Sequence, residues 1–351
     1  MSSQHAKFLA TQTVANVLST KKQDHALIDI HVTATVEKVF ETLLSNGNMG
    51  LIHIHNGRIH ILSVPVYRNF NGVKDYVAII DTYDLLSAME ERGFAVESGT
   101  TPDTEFLTMP VAILVGMTKS SSKLWTCEPT LPLTQLIELF TKHRVHRVLV
   151  LEEIPVRTDA VDNEDGSVEE EPRQQPKGRL LSQTDVVRFL LEHNHELGPI
   201  LDTNAEQVAG HALQYADEYL DPTSADKLKH APASITINSQ AWTAFQTMSR
   251  THASCVAIVD SNGALVAEMS AADLRGVNPN RIQDLNRPCL VYLKTSQGSL
   301  KRPLSSRVKF SLGQLLSGVV RNHGHRSWLV DEDDKPVGCI TLSDILSVFL
   351  E

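Results

Sequence analysis

The chain has 351 residues, 42% of them apolar and 21% charged, a globular composition with the length of two ordinary domains. Its net charge of −10 carries no basic footprint for nucleic acid. No apolar run approaches the roughly 18 residues of a membrane span, and no N-terminal stretch has the order of a signal peptide. Cys127, Cys255, Cys289 and Cys339 are scattered through apolar stretches without a CxxC pair, which reads as buried thiols in a reducing setting, cytoplasmic or nuclear.

In chain order, residues 1–24 predict a short amphipathic helix through Phe8, Val14, Val17 and Leu18, docked on the body of the protein. A helix-strand-turn-strand-helix unit then appears four times, and a repeat of this kind decides the architecture. The first copy, residues 25–95, takes Val36, Val39, Phe40 and Leu43 as its helical stripe, strands at Leu51–His55 and Asp75–Ile80, and a second helix over Leu85–Met89 opened by Asp81-Thr82-Tyr83-Asp84. The second, residues 115–196, has Leu133, Leu136, Ile137 and Phe140, then His146-Arg147 before the strand Val148–Leu151. Its return strand is Arg179–Leu181, and Ser182-Gln183-Thr184-Asp185 opens the helix Val186–Leu191. Between its two strands lies 152–178, with nine acidic and three basic residues and few large apolar ones. That composition predicts a surface loop whose ordering burial would not offset.

Residues 197–230 read as a linker with a helical piece near Ala205–Tyr219. The third copy, residues 231–280, has Trp242, Phe245 and Met248 on one helix face, Cys255–Val259 as a strand, the turn Asp260-Ser261-Asn262-Gly263, and the return strand Ala264–Met269. Ser270-Ala271-Ala272-Asp273 then opens a helix. The fourth copy, residues 288–351, is the clearest. Leu312, Leu315, Leu316 and Val319 make its helix, His325-Arg326 precedes Ser327–Val330, Pro336–Ile340 returns, and Thr341-Leu342-Ser343-Asp344 opens the last helix.

The repeated polar step has two readings. A hydroxyl three residues before a carboxylate is a helix N-cap with an N3 partner, and capping alone accounts for it. A carboxylate also presents two acceptor oxygens, which suit the paired hydroxyls of a ribose beside a helix N-terminus. The His-Arg pairs supply cations fit for a phosphate. The third copy offers only Arg250 and His252 before Ser254, and the first has the uncharged Asn46–Gly50, with Asp81 in place of the hydroxyl.

On these residues the repeat resembles the CBS domain. Four in a row resemble the gamma subunit of AMP-activated and sugar-sensing protein kinases, over nearly the whole chain from about residue 25. The resemblance implies an α/β fold of α+β CBS repeats, paired as two Bateman modules packed into a pseudo-symmetric disc. It implies AMP, ADP or ATP as a regulatory ligand rather than an obligatory cofactor, held by Asp84, Asp185, Asp273 and Asp344 with Ser182, Ser270 and Thr341. The pairs His146-Arg147 and His325-Arg326, and Ser254, would lie toward its phosphates. The fourth and third copies are the favoured sites and the first the least favoured. The implied role is non-catalytic: regulation of a serine/threonine kinase catalytic (alpha) subunit with its beta scaffold. The alternatives are a scaffold that inhibits a protein phosphatase, and a structural module with empty clefts. No GxxxxGK[ST], GxSxG or HExxH step supports catalysis. His53-x-His55 and His323-x-His325 lack the further ligands of a metal site.

Overall fold

A computed structural model describes residues 3–21, 27–44, 62–92, 105–151, 178–212, 232–275, 277 and 281–351. The expected strand at Leu51–His55, the turn at 46–50, the acidic stretch up to residue 177 and the linker beyond residue 212 lie outside the described residues.

Each copy builds the same unit: a very short strand, a helix, a two-stranded antiparallel hairpin, and a second helical turn or helix. The first has β1 (Ile30–His31), the helix Val36–Leu44, β2 (Ser63–Phe70), β3 (Val73–Asp81) and the helix Thr82–Glu91. The second has β4 (Thr126–Cys127), Leu133–Lys142, β5 (Arg147–Leu151), β6 (Gly178–Ser182) and Gln183–Glu192. The third has β7 (Ser234–Thr236), Ala241–Thr251, β8 (Cys255–Val259), β9 (Leu265–Ser270) and a 3-10 turn over Ala271–Leu274. The fourth has β10 (Ser305–Ser306), Leu312–Arg321, β11 (Arg326–Val330), β12 (Pro336–Thr341) and Leu342–Ser347. In all four sheets the short strand pairs parallel with the middle strand, and the middle strand pairs antiparallel with the last.

Two expectations are corrected. The hairpin of the first repeat pairs β3 with Ser63–Phe70, a strand the sequence reading did not place, while the one expected at Leu51–His55 lies outside the described residues. Val64 and Val66 point into the core there, and Asn71 and Gly72 turn the chain at positive φ, which those residue types tolerate. The helix expected after Ser270 is a single 3-10 turn, because Arg275 already has extended backbone and the chain runs on as Gly276-Val277-Asn278-Pro279, which resists helix.

The N-terminal stretch forms two helices, Gln4–Leu9 and Val14–Ser19, broken at Thr13, which caps the second. Leu9, Val14, Val17 and Leu18 are buried against the second repeat. Thr13 bridges Pro132 at the start of the second repeat's helix, and Asn204, in the segment between modules, bridges Ser311 in the same way. The opening helices are therefore to the second repeat what Asn204–Val208 is to the fourth: a lead-in segment capping the later repeat of a pair.

Two large cores cross the repeat order. One joins the apolar faces of the first and third repeats, including Phe40, Leu85, Phe245 and Tyr292. The other joins the second and fourth, including Phe140, Phe189, Leu316 and Ile345. A smaller cluster of Cys255, Ala257, Trp328 and Val330 seals the sheets of the third and fourth repeats against each other. Burial of this many Leu, Ile, Val and Phe side chains, at ~1.5–3 kcal/mol each, is the main term holding the four units together.

Candidate functional site

The four aspartates occupy one geometry. Each is buried at the third position of its helical turn, and one carboxylate oxygen (Oδ2) turns back to the N-cap. Asp84 Oδ2 accepts the Asp81 N–H at 2.9 Å, and Asp185 Oδ2 the Ser182 N–H at 2.8 Å. Asp273 Oδ2 accepts the Ser270 N–H at 2.7 Å, and Asp344 Oδ2 the Thr341 N–H at 2.8 Å. The hydroxyls of Ser182, Ser270 and Thr341 donate to the same oxygen at 2.7, 3.0 and 2.7 Å. This is a capping box with Asp in the usual place of Glu. In the first repeat Asp81 is the N-cap, and its Oδ1 accepts the Tyr83 N–H at 2.7 Å.

Capping leaves the other oxygen, Oδ1, of each aspartate to be decided by the tertiary structure. Asp84 Oδ1 accepts the hydroxyls of Thr118 and Ser121, both at 2.6 Å. Asp273 Oδ1 accepts Gln297 Nε2 at 2.7 Å, and Asp344 Oδ1 accepts the Ala212 N–H at 3.2 Å. Asp185 Oδ1 is buried and has no hydrogen-bond donor among the described residues. The pattern follows the pairing of repeats. In the earlier repeat of each pair, the segment following the repeat supplies the donor. In the later repeat the lead-in segment arrives instead. At Asp344 it brings Ala212, with His211 buried between Ser347 and Glu351. At Asp185 it brings Lys21, whose Nζ lies 3.1 Å from Oδ2 and donates to the Leu180 carbonyl, leaving Oδ1 unmatched.

The basic residues gather around the same helix starts. Arg147 Nη1 and His146 Nδ1 lie 3.9 and 4.0 Å from Asp81 Oδ2, so the cations of the second repeat face the acidic cap of the first. Burial raises the Asp81 carboxyl, but the neighbouring His146, the Arg147 charge and the Tyr83 N–H outweigh it and hold the pKa below the ordinary value. Asp84 behaves oppositely: burial and the Asp81 charge push it up to about 7, against its hydroxyl and N–H donors. Burial lowers the Arg147 pKa, with Asp81 and Asp185 opposing and Arg275 reinforcing, which puts Arg147 and Arg275 in one field with Asp185 between the modules. Arg147 Nε and Arg275 Nη1 are buried N–H groups without an acceptor among the described residues.

In the fourth repeat Arg326 Nη1 lies 3.6 Å from Glu268 Oε2, which also accepts Trp328 Nε1 at 2.6 Å. His325 Nδ1 lies 3.5 Å from Thr184 Oγ1, and Gln183 Nε2 donates to Ser343 Oγ at 2.9 Å, so the polar steps of repeats two and four meet across the modules. Burial raises Asp344, and Arg144 opposes that shift from the second repeat. Ser254 lies where His146 lies in the second repeat: its carbonyl accepts the Ala271 N–H at 3.1 Å, as the His146 carbonyl accepts the Gln183 N–H at 3.1 Å. Arg250 is exposed and reaches Glu90 rather than a helix start.

The structure thus brings His146, Arg147, Asp81, Asp84, Asp185 and Arg275 toward one region, and His325, Arg144, Asp344 and Thr184 toward another. The sequence reading missed Asp81 as an acceptor for the His-Arg pair, and it missed Lys21, Thr118, Ser121, Ala212 and Gln297 as partners of the aspartates. Asp81 belongs to the repeated step and was legible there as an added charge; the other five lie outside the step, before the first repeat or on the chain that follows or leads into a repeat, and carry no repeated pattern. No cluster of three or more His, Cys, Asp or Glu suited to a metal ion is present among the described residues, and no described helix is long and apolar enough to cross a membrane.

Comparison with known proteins agrees with this architecture. Residues 308–351 match the CBS domain. The chain is 23% identical over 343 residues to an Arabidopsis thaliana protein described as SNF1-related protein kinase regulatory subunit gamma-like PV42a, covering 92% of this chain and 91% of that one. It is 22% identical over 301 residues to gamma-like PV42b of the same plant, covering 78% of this chain and 76% of that one. The fold superposes on protein MJ1225 of Methanocaldococcus jannaschii, whose description relates it to g-AMPK, with a TM-score of 0.58 at 16% identity, covering 92% of this chain and 96% of that chain. The fold is one of four repeated units, the last of which matches the CBS domain, and it superposes as a whole on a structure of the same fold. Within that class, the chain resembles the gamma-like regulatory subunits of SNF1-related kinases.

Proposed function

We propose that this chain is a non-catalytic regulatory subunit that binds an adenine nucleotide, AMP, ADP or ATP, at a CBS helix start, and that binding alters its engagement of a serine/threonine kinase catalytic subunit and its beta scaffold. The observation that carries the ligand reading is the Asp185 Oδ1 oxygen, buried without a donor among the described residues while Arg147 Nε and Arg275 Nη1 are likewise buried without an acceptor. Buried polar groups left unmatched are uncommon, and a ligand offering hydroxyls and a phosphate satisfies both signs at once. This favours the second repeat over the fourth and third, whose Oδ1 oxygens have internal donors. The resemblance to gamma-like subunits over most of the chain supports the kinase partner. Any such coupling requires different affinity for two states of the complex.

A second reading, a capped structural module with empty clefts, is favoured by the internal donors at Asp84, Asp273 and Asp344. Thermal unfolding in the presence of AMP, ADP or ATP separates the two. A nucleotide at ~100 times its dissociation constant stabilises by ~2.7 kcal/mol. The regulatory reading expects a shift that Asp185→Ala and Arg147→Ala abolish. No shift with any of the three at millimolar concentration leaves the structural reading standing. Co-purification with kinase alpha and beta subunits, against a protein phosphatase as the competing partner, then decides what the chain engages.

A further inference from the structure

The four thiols are unequal. Cys127 lies in β4 and Cys289 opens the helix Cys289–Gln297, each without another cysteine described beside it. Cys255 begins β8, where it pairs across the hairpin with Ser270, and Cys339 lies in β12 opposite Trp328. The sheets of the third and fourth repeats pack face to face, and Cys255, Ala257, Trp328 and Val330 form the cluster between them, with Cys339 packed against it. Both thiols thus belong to this one seam, Cys255 within the cluster and Cys339 packed against it from the facing sheet. Elsewhere in the seam the sheets are joined by side chains: Glu268 of β9 takes the Trp328 indole N–H at 2.6 Å and faces Arg326 at 3.6 Å.

We propose that Cys255 and Cys339 are a redox site that forms a reversible disulfide under peroxide, clasping the sheets of the third and fourth repeats together. The chemistry balances with hydrogen peroxide as oxidant. The Cys255 thiolate attacks one peroxide oxygen, the O–O bond breaks, and the released hydroxide takes up a proton to leave as water, giving a sulfenic acid. The Cys339 sulfur then attacks the sulfenic sulfur, the S–O bond breaks, and a second water leaves with the Cys339 proton. Two electrons pass from the two sulfurs to the peroxide. A dithiol reverses the step by exchange.

The surroundings suit these roles. The neighbouring Cys339 and the Arg326 guanidinium favour the thiolate of Cys255, against burial, which opposes it. Cys339 is driven the other way by Cys255 and by burial, which favour its thiol form. Cys255 is nearly buried and Cys339 is partly exposed, which gives a small oxidant a route that a bulky reagent lacks.

The test is a titration of the reduced full chain with hydrogen peroxide, followed by non-reducing peptide mass spectrometry. The expected product is a Cys255–Cys339 cross-linked peptide that dithiothreitol removes. It is absent in Cys255→Ser and Cys339→Ser, and retained in Cys127→Ser and Cys289→Ser. The unfolding midpoint of the wild type rises on oxidation, while that of Cys255→Ser does not. Oxidation of Cys127 or Cys289 while Cys255 and Cys339 stay reduced overturns the proposal. So does conversion of Cys255 to sulfinic acid with Cys339 still a thiol.

Discussion

Arg147 of the second repeat faces Asp81 of the first, Nη1 to Oδ2 at 3.9 Å, so a cation fit for a phosphate already has a carboxylate before it. Asp81 stands where the other three repeats have Ser or Thr, and it caps its helix equally well through the Tyr83 N–H. The substitution keeps the fold and changes the charge at the junction between the repeats.

Asp81→Ser therefore separates capping from electrostatics. The hydroxyl preserves the N-cap, so stability is expected to change by less than about 1 kcal/mol. Removing a carboxylate about 4 Å from His146 and Arg147 leaves those cations for an anionic ligand. The expected gain in affinity for AMP is about tenfold, or about 1.4 kcal/mol. Isothermal titration of both proteins at equal ionic strength measures it, and unchanged affinity removes these two cations from the phosphate site.

Asp84 sets a pH dependence. Its folded value is pushed up to about 7, whereas an unfolded aspartate titrates near its ordinary value of about 3.9. Between those limits the folded chain holds a proton that the unfolded chain has released, so stability falls as pH rises from about 4 to about 7. Asp81 acts in the other direction: its lowered value contributes stability above its ordinary pKa, lost as pH falls through its folded one. The pair is best satisfied with one charge, in mildly acidic solution. Asp84→Asn is expected to flatten the slope between pH 4 and 7 by about 1–3 kcal/mol, read from urea midpoints across that range.

Asp185→Asn distinguishes a ligand site from a cap. The amide oxygen still accepts the Ser182 N–H, so the melting temperature is expected to fall by only a few degrees. The nucleotide-induced shift is expected to vanish with the carboxylate. If the variant keeps the full shift, the ligand uses another repeat.

Trp328→Phe tests the seam between the third and fourth repeats. The ring remains to fill the buried site, but the indole N–H to Glu268 is lost, along with part of the ring volume. Glu268 is partly exposed, so water replaces the donor and the expected cost is about 1–2 kcal/mol in equilibrium unfolding.

Much of this protein is local and was readable from residue order. Val39, Phe40 and Leu43, or Leu312, Leu315 and Leu316, recur at helical spacing because one face of each helix must leave water. Thr341 and Asp344 lie three apart because a helix start has unpaired N–H groups to satisfy. Those patterns determined four units of one design and placed an aspartate at the same point in each. The first repeat read less well: its hairpin strand is Ser63–Phe70, where a continuous Val64-Pro65-Val66 run carries no clean alternation.

What the sequence could not determine is which repeat faces which. The first packs on the third and the second on the fourth, because apolar faces are non-directional and their match is settled only when all four are present. The fate of each aspartate's second oxygen depends on that assembly. Thr118, Ser121, Gln297 and Ala212 arrive from segments outside the repeated step and satisfy three of them. Lys21 arrives at the fourth on the wrong oxygen, leaving Asp185 Oδ1 alone. Residue order determined the carboxylates; three-dimensional packing decided which of them has an oxygen left to offer.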